Sequence, residues 1–456
     1  MKKYPVIIIG AGIGGLTTAA YLSQQGIPFL LLEQTAAIGG RCSTRMINGL
    51  KYEIGAIYVG GGVFDHLRQT FGVKCHTIPV RCGVKIGEHI VSIPIGLKTL
   101  WELRTCGVSW WEILLFMYRS RILSDTSTFE RYESIGQVFD KIVANKTMRR
   151  FFDVTVGVSG ISPYCLPSQS LSKKSPIVKY KAMNPEYFPG GNGKISTTLF
   201  DLAAKNGEIV FNEKVNKILV KNGCAVAVKT NRGEYSGDVI VSNAGLRNTV
   251  LKLTDSGNWP VDYYEEVKEI KTTLQVANIF LTFSRSFKIP KEFAVFLVSY
   301  DVNKEFQTLE KGSFSSQSMF ILHVPSNIEP YLKGDCRATL QFYYPRGQVT
   351  AACLDVQVQK VMYDGLEKLF KGFSKAITSY TVYDPIRYEQ EFGFSPYVFG
   401  VSPELNCKRF PNQSPITNLY CVGDSVMPEG PCVPQAMDSG LDCAQLIATK
   451  LKIINM

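Results

Sequence analysis

The sequence predicts an α/β protein in which a parallel-sheet domain is interleaved with a second domain of α+β type. Three observations lead to this prediction. The chain has 456 residues, which is more than one hydrophobic core usually serves. It opens with a strand–turn–helix–strand pattern, which is typical of a parallel sheet. The same strand texture returns in two later segments, so we expect the two domains to alternate along the chain.

The opening pattern begins with the continuous apolar run Val6–Ile9. Such a run is typical of a strand buried on both faces. Helix-forming residues follow over Leu16–Gln25, and Gly26 suits the C-terminal end of a helix. A second apolar strand, Phe29–Leu32, ends at the acidic residue Glu33. Together these elements predict a βαβ unit.

The turn after the first strand has the glycine spacing of a dinucleotide-binding fingerprint. Gly10 permits a tight turn, Gly12 lets the backbone approach a pyrophosphate, and Gly15 allows close helix–sheet packing. The N-terminus of the helix offers free N–H groups to phosphates. Glu33 is placed to accept hydrogen bonds from a ribose diol. The pattern predicts a Rossmann-like domain that binds an ADP moiety through Gly10, Gly12, Ile13, Gly14, Gly15 and Glu33.

Residues 97–123 differ from the opening because large apolar and aromatic side chains dominate them, interrupted by Arg104, Glu112, Arg119 and Arg121. The pattern predicts two helices hinged near Gly107. Two interpretations of these helices stay open. They form ordinary helix core, or they form the wall of a hydrophobic substrate tunnel or a surface that dips into a membrane, since Trp together with Lys and Arg favours interfaces.

The remaining elements follow from alternation, turn signals and helical spacing. The predicted strands are Glu208–Phe211, Val215–Val220, Ala225–Thr230, Val239–Ser242, 274–283, 336–344 and Leu419–Val422. The predicted helices are 355–371 and Pro434–Lys450. We predict that the nucleotide-binding domain comprises residues 1–72, 185–250 and 403–456, and that the substrate-binding domain comprises residues 73–184 and 251–402.

The segment Ile38–Cys42 carries the sequence Ile-Gly-Gly-Arg-Cys soon after Glu33. Here the chain resembles the glutathione-reductase-like flavoproteins, and within them the FAD-dependent amine oxidase and phytoene desaturase superfamily. The blocks Phe188–Gly191, Asp384–Glu389 and Asn418–Ser425 are similar to the branch that contains phytoene desaturases, carotenoid isomerases and retinol saturases. The resemblance implies an FAD-dependent oxidoreductase.

The resemblance also implies roles for individual residues. Gly39 and Gly40 would bring backbone near the FAD, and Arg41 would lie near its pyrophosphate. Val215 would present its backbone to the adenine. Gly423 and Asp424 would contact the ribityl chain and the phosphates, and a helix that starts near Val433 would point its N-terminus at the pyrimidine edge of the flavin, where it stabilises negative charge. The implied set is completed by Gln34, Gly55, Ala56, Asn243, Ala244, Pro434 and Ala436.

Two positions depart from the family pattern. Cys432 stands where the family usually has a glycine, which leaves a packing role and a covalent cysteinyl flavin as alternatives. Asn278 stands where many amine oxidases carry a lysine that holds a water near flavin N5. The second departure disfavours amine oxidation.

These features predict an oxidoreductase that acts on CH–CH or C=C bonds of a hydrophobic, isoprenoid or polyene, substrate, with hydride transfer at flavin N5 and the direction of the reaction left open. The alternatives are an amine or amino-acid oxidase, a dehydrogenase that tailors a natural product, and a flavin-binding protein without redox turnover. No catalytic acid or base stands out. Tyr58, Asp153, Tyr187 and Tyr397 are polar groups in plausible regions, and each is more often structural.

Composition restricts the partners and the location. The net charge of +11 is dispersed, and no basic arm or known module accompanies it, which argues against nucleic acid. The twelve cysteines form no CxxC pair, so they are expected to be reduced and buried in apolar surroundings, as for Cys224, Cys353 and Cys421. The four histidines are scattered, so no metal site is expected. We expect a cytoplasmic protein, with peripheral membrane contact as a further option and the oligomeric state left open.

Overall fold

The computed structural model describes residues 2–329, 336–430 and 432–454. The described residues form nineteen strands: β1 (Lys2–Ile9), β2 (Phe29–Leu32), β3 (Thr44–Ile47), β4 (Leu50–Glu53), β5 (Val59–Gly60), β6 (Ile78–Pro79), β7 (Cys82–Ile86), β8 (His89–Ile93), β9 (Pro185–Tyr187), β10 (Glu208–Val210), β11 (Val215–Lys221), β12 (Cys224–Thr230), β13 (Glu234–Ser242), β14 (Gln275–Phe283), β15 (Val295–Val298), β16 (Phe320–His323), β17 (Cys336–Tyr344), β18 (Ile377–Tyr383) and β19 (Leu419–Cys421).

The same residues form seventeen α-helices: α1 (Ile13–Gln24), α2 (Gly62–Phe71), α3 (Leu97–Thr105), α4 (Trp110–Arg119), α5 (Ser127–Arg131), α6 (Ile135–Ile142), α7 (Lys146–Gly157), α8 (Pro176–Lys179), α9 (Gly193–Ala203), α10 (Leu246–Leu251), α11 (Val261–Lys268), α12 (Val302–Glu310), α13 (Ala351–Gln359), α14 (Leu366–Leu369), α15 (Phe373–Ala376), α16 (Pro385–Phe392) and α17 (Cys432–Ile454). Among these described helices, none is both long enough and apolar enough to cross a membrane.

The first sheet contains the predicted βαβ unit. Strands β10, β2, β1, β13 and β19 lie side by side in that order and run parallel. The start of β13 also pairs with β12, and β12 pairs with β11, in antiparallel fashion. Because the five strands are parallel, their carboxyl ends meet at one edge. In open sheets of this kind, ligands bind outside that edge.

The second sheet has the order β18-β14-β17-β16-β15-β7-β8 and is antiparallel except between β15 and β7. The predicted strands 274–283 and 336–344 correspond to β14 and β17, which are neighbours in this sheet. Side chains of β17 alternate between two cores. Leu340 and Phe342 pack against α13 and α14, and Tyr343 packs on the opposite face, beneath α7 and α12.

Two helical predictions need adjustment. The predicted helix 355–371 begins earlier, at Ala351, is interrupted by a π-helical segment at Lys360–Gly365 and ends at Leu369. The final helix starts at Cys432 rather than Pro434. The hinge between α3 and α4 is confirmed, since Gly107 has a φ of +88° in the left-handed region that suits glycine.

The cysteines are all unpaired, but not all are buried. Cys353 was expected in apolar surroundings, and this expectation is wrong. The cysteine is exposed on the first turn of α13, and Cys224 is only partly buried. Cys421 is buried as expected. The predicted domain bounds stay a prediction. The strands of the first sheet come from residues 2–32, 208–242 and 419–421, and those of the second from residues 82–93 and 275–383.

Candidate cofactor site

The carboxyl edge of the first sheet brings distant parts of the chain together. Gly10 follows β1 directly and Asn243 follows β13 directly, and the backbone N–H of Asn243 donates to Ile9 O at 2.8 Å. Gly39 reaches the same place, because its N–H donates to Ala11 O at 2.8 Å and it forms a parallel bridge with Gly12. The segments that the sequence singled out separately therefore form one site.

The glycines of this site have no room for side chains. A Cβ on Gly12 would lie 2.6 Å from Asn243 Nδ2, and one on Gly14 would lie 2.7 Å from the backbone nitrogen of Gly423. A Cβ on Gly15 would collide with Gly10 O. The result is a cradle of bare backbone at the N-terminus of α1. A pyrophosphate fits this cradle, since the N–H groups of a helix N-terminus attract phosphate oxygens.

Glu33 lies at the end of β2, 9% exposed. Its Oε2 accepts a hydrogen bond from Ala11 N at 2.8 Å, and its Oε1 accepts from the backbone N–H and the hydroxyl of Thr35 at 2.9 and 2.8 Å. A carboxylate has about four acceptor directions, so one remains for a ribose hydroxyl. The side chain of Gln34 turns away and donates to Gly393 O at 2.6 Å, which leaves only its backbone for a cofactor.

Arg41, which follows Gly40, forms an ion pair with Asp424, which follows Gly423. Its Nη2 lies 2.6 Å from Asp424 Oδ1, and its Nη1 donates to Tyr397 O at 3.1 Å. Burial disfavours the charge on Arg41, but the Asp424 carboxylate more than offsets burial and holds the pKa of the guanidinium above its ordinary value. Gly55 and Ala56 lie against the Arg41 backbone, with Ala56 N donating to Arg41 O at 3.0 Å. A permanent cation therefore stands beside the cradle.

The N-terminus of α17 faces the same region. Cys432, its first residue, has a φ of +27°, a backbone conformation that favours glycine. Its thiol donates to Val398 O at 2.9 Å, and burial raises its pKa to about 12. A neutral, hydrogen-bonded thiol supports the packing role over a covalent flavin. Val433 and Ala436 are buried against α1, so α17 offers its backbone rather than these side chains. Pro434 has no N–H to offer.

Three side chains hold the Gly423–Asp424 turn: Gln435 and Ser439 belong to the C-terminal block that resembles other flavoproteins, whereas Arg409 carries no recognisable sequence signal. Gln435 Nε2 donates to Asp424 O at 3.1 Å, and Arg409 Nη1 donates to the same oxygen at 3.0 Å. The hydroxyl of Ser439 accepts from Gly423 N at 3.2 Å. Each contact joins residues that are distant in sequence or placed by a helix turn, so only the finished fold shows them.

Arg45 is a further residue that the sequence did not single out. Its Nη2 donates to Ile38 O at 3.3 Å, while its buried Nε has no hydrogen-bond partner among the described residues. Burial lowers the pKa of Arg45, and the nearby Glu33 carboxylate opposes that shift. Arg45 is close enough to Glu33 for their charges to interact, so it lies on the side of the site where the ribose is expected.

Val215 and Ala244 lie at the margins of the site. Val215 is buried in the core behind β1, so its side chain has the structural role and only its backbone remains for an adenine. The preceding segment is tied to the ribose side, because Glu213 N donates to Glu33 O at 2.9 Å. Ala244 precedes α10, and its carbonyl accepts from Asn248 Nδ2 at 3.0 Å.

The block Asp384–Glu389 supports the site from behind. The hydroxyl of Tyr388 donates to Ile54 O at 2.9 Å and accepts a hydrogen bond from Asn278 Nδ2. Ile54 directly precedes Gly55. The motif that resembled other flavoproteins therefore fixes the segment that leads into Gly55.

The block Phe188–Gly191 has the same kind of role. Gly190 N donates to Glu329, which forms a buried 2.8 Å ion pair with Arg337. Nearby, burial raises the pKa of Glu53 to about 8, although hydrogen bonds from Thr44, Asn192 N and Tyr187 oppose the shift. These contacts fasten the N-terminus of α9 to the hairpin β3–β4. Residues of α9 and its cap also lie against Gly39 and Ala56.

The four polar residues that the sequence offered as candidates, Tyr58, Asp153, Tyr187 and Tyr397, have different surroundings. Tyr58 lies beside Cys432 and Tyr343, where burial raises its pKa well above the ordinary value. Asp153 forms a 2.9 Å ion pair with Arg149, and Tyr187 donates to Glu53 at 3.3 Å. Tyr397 contributes its carbonyl to Arg41. Of the four, Tyr58 is the one that interacts with Cys432, the first residue of α17.

Comparisons with known proteins agree with this geometry. The sequence profile described as "Flavin containing amine oxidoreductase" matches residues 13–448. The 4,4'-diapophytoene desaturase (4,4'-diapolycopene-forming) of Methylomonas sp is 23% identical over 344 residues, covering 65% of this chain and 65% of that protein. The chain therefore spans slightly less than two thirds of that relative's length. Prolycopene isomerase 2, chloroplastic, of an Oncidium hybrid cultivar is 22% identical over 516 residues, covering 99% and 84%.

A solved oxidoreductase from Methanosarcina mazei shares the fold. Its TM-score is 0.69 at 18% sequence identity, covering 97% of this chain and 100% of the other. This likeness confirms the predicted fold class.

Proposed function

Because the chain belongs to the family of flavin-containing amine oxidoreductases, we propose that it is an FAD-dependent desaturase or dehydrogenase acting on CH–CH or C=C bonds of a hydrophobic, isoprenoid or polyene substrate. Membership of the family confirms the predicted flavin cofactor and the oxidoreductase class. The named activities of the desaturase and the isomerase support the substrate class. When bound, the flavin supplies the acceptor for a hydride at N5.

The chain's own residues are suited to hold FAD across the whole edge of the sheet. The cradle at Gly12 and Gly14 would take the pyrophosphate, with Glu33 at the adenosine ribose. The Arg41–Asp424 pair lies between the cradle and the N-terminus of α17. The partial positive charge at that N-terminus would stabilise negative charge on a reduced flavin.

The observation that carries the proposal is the balance of charge around Cys432, at the N-terminus of α17. Tyr58 lies near Tyr343 and Cys432, and these two phenols and the thiol are neutral at physiological pH, as is ordinary for such groups. The charged neighbours of Cys432 are Asp424, Arg41 and Arg409. These three sum to a positive charge, which disfavours an ammonium substrate and is compatible with an apolar chain.

Asn278 also supports the proposal. It is 1% exposed, and its amide donates to Tyr388. The side chain is neutral and its Nδ2 is already bound, while its Oδ1 has no partner among the described residues, so it is not suited to the role of the lysine that many amine oxidases carry there. Amine oxidation is therefore the weaker alternative.

The proposal extends to location. A polyene partitions into lipid, so an enzyme that acts on it would work at a membrane surface. The twelve unpaired cysteines support a reducing, cytoplasmic compartment, with the protein attached to the membrane peripherally.

The test is turnover in liposomes that contain an acyclic polyene. FAD-loaded protein is mixed with them without oxygen, and flavin absorbance is followed while the number of double bonds is measured by mass spectrometry. We expect bleaching of the flavin together with a product two hydrogens lighter. Asp424→Ala protein, which should lose FAD, is the control. Peroxide release from soluble amines without any polyene turnover would refute the proposal.

A further inference from the structure

Helices α3 and α4 and the residues just before them carry large apolar side chains that are exposed side by side. This apolar surface comprises Ile95, Leu97, Trp101, Trp110, Trp111, Leu114, Met117 and Tyr118. Leu97 exposes 87% of its area and Trp111 exposes 73%. The rings of Trp101 and Trp110 are 6.2 Å apart, which makes the surface continuous across both helices. A soluble protein seldom exposes a contiguous apolar patch without a function for it.

The two helices are firmly attached to the molecule. Leu103, Val108 and Ile113 are buried in the core beside the second sheet. Ser109 and Glu112 form a reciprocal cap at the start of α4, and Glu112 also accepts from Asn145 at 2.8 Å. The exposed side chains therefore belong to a fixed platform. Of the two interpretations of this segment, ordinary core describes only the inward-facing residues.

Unpaired cations accompany the apolar surface. Arg104 and Arg121 are exposed, and Arg119 is half-buried. Within the described parts of the chain, none of the three forms an ion pair, nor do the nearby Lys141 and Lys146.

The acids of the same helices are already engaged. The Glu102 carboxylate accepts from the backbone N–H and the hydroxyl of Ser92, at 2.6 and 2.5 Å, and Glu112 caps α4. Among the charged side chains of residues 97–121, those left without an ion pair or a capping role are therefore the three arginines, Arg104, Arg119 and Arg121.

Two surface depressions flank the helices and share this chemistry. One, at the end of α4, is lined by Tyr118, Arg119, Arg121, Ile122 and Lys141. The other, beside the α3–α4 hinge, includes His89, Lys146 and Arg150 in its lining. Each combines cations with an adjoining apolar edge, which suits the phosphate of a lipid headgroup.

We propose that this surface docks the protein on a membrane that contains anionic lipids. The tryptophans and leucines would enter the interface between headgroups and acyl chains, and the cations would bind lipid phosphates. The inference rests on the proposed function for its purpose, since docking brings the site to a substrate dissolved in the bilayer. The docking itself requires no turnover.

The test uses the FAD-loaded full chain and vesicles without substrate. Flotation is compared between vesicles of phosphatidylcholine alone and vesicles that also contain phosphatidylserine. We expect binding to the anionic vesicles that weakens as salt rises. A variant with Trp101→Ser, Trp110→Ser and Trp111→Ser should bind the vesicles at least about tenfold more weakly than the wild type. A variant with Arg104→Gln, Arg119→Gln and Arg121→Gln should lose the preference for anionic lipid.

Fluorescence provides a second readout and a check of folding. Brominated lipids should quench the three exposed tryptophans of the wild type. The remaining Trp259, which is 5% exposed, should not be quenched in the tryptophan variant, and its emission reports an intact core. The matched control carries Val261→Ser and Val356→Ser, which remove exposed apolar side chains elsewhere, and it should float like the wild type.

The proposal is overturned if the wild type floats with neither vesicle, if the tryptophan variant floats as well as the control, or if neutral and anionic vesicles bind equally. A stable dimer in solution that the tryptophan substitutions disperse would also overturn it, because the surface would then bind a second copy. Failure of polyene turnover with intact vesicle binding would refute the proposed function alone.

Discussion

Removing the hydroxyl group of Tyr388, which lies on α16, tests whether this residue positions the Ile54–Gly55 segment of the predicted cofactor site. In Tyr388→Phe the aromatic ring keeps its packing against Tyr383 and Phe392, whose ring centroids lie 5.8 and 5.3 Å away. Only the hydrogen bonds to Ile54 O and from Asn278 Nδ2 are lost. Each buried polar group left unpaired costs about 1–3 kcal/mol, so the total loss for the two groups is on the order of 2–6 kcal/mol.

Part of this loss should appear in cofactor binding, because Ile54 leads directly into Gly55. We expect FAD affinity to fall about tenfold or more, since ~1.4 kcal/mol is tenfold in a dissociation constant. The assay is titration of cofactor-free protein with FAD, together with urea unfolding. Tyr380→Phe is the matched control, because Tyr380 is 42% exposed. The combination of Tyr388→Phe with Asn278→Leu should cost less than the sum of the two single changes. If Tyr388→Phe binds FAD and unfolds like the control, the positioning role is wrong.

Three further changes test other parts of the site. Gly14→Ala should abolish FAD loading, because its Cβ would lie 2.7 Å from a backbone nitrogen, whereas Gly233→Ala, which meets open space, should load normally; equal flavin absorbance in both would contradict the cradle. Asp424→Ala leaves the partly buried Arg41 without its carboxylate partner, so FAD should be lost on gel filtration, and retention would count against the role of the ion pair. Glu53 has a pKa raised from 4.5 to about 8, so the folded protein holds this proton more tightly than the unfolded chain, and its contribution to stability is lost as pH rises from 4.5 to 8. Glu53→Gln should therefore melt like the wild type at low pH and above it at pH 9, and parallel melting curves would contradict the raised pKa.

The nucleotide-binding part of the fold could be predicted from sequence because its signals are local. The apolar run Val6–Ile9, the glycine spacing and Glu33 lie within a short stretch, and each has a direct steric or hydrogen-bonding reason. The strands that precede Asn243 and Gly423 are parallel neighbours and end at the same edge as β1, so segments that the resemblance linked do lie together, while their contacts with FAD stay a prediction.

Other features depend on contacts that no local pattern encodes. Tyr388 bonds to Ile54, a residue more than three hundred positions earlier, and Arg45 belongs to no motif. Cys353 has apolar sequence neighbours, but the first turn of α13 faces solvent, so composition misplaced it. The apolar spacing of residues 97–123 correctly predicted helices. It could not show which side of each helix the rest of the protein covers.

The most direct test of the account is the visible spectrum of the purified protein, followed by analysis of the cofactor that denaturation releases. The account predicts an oxidised flavin spectrum and one FAD per chain, released without proteolysis because the Cys432 thiol is neutral and bound to Val398 O. A colourless protein that takes up no FAD on titration would contradict the cofactor site, and with it the proposed function.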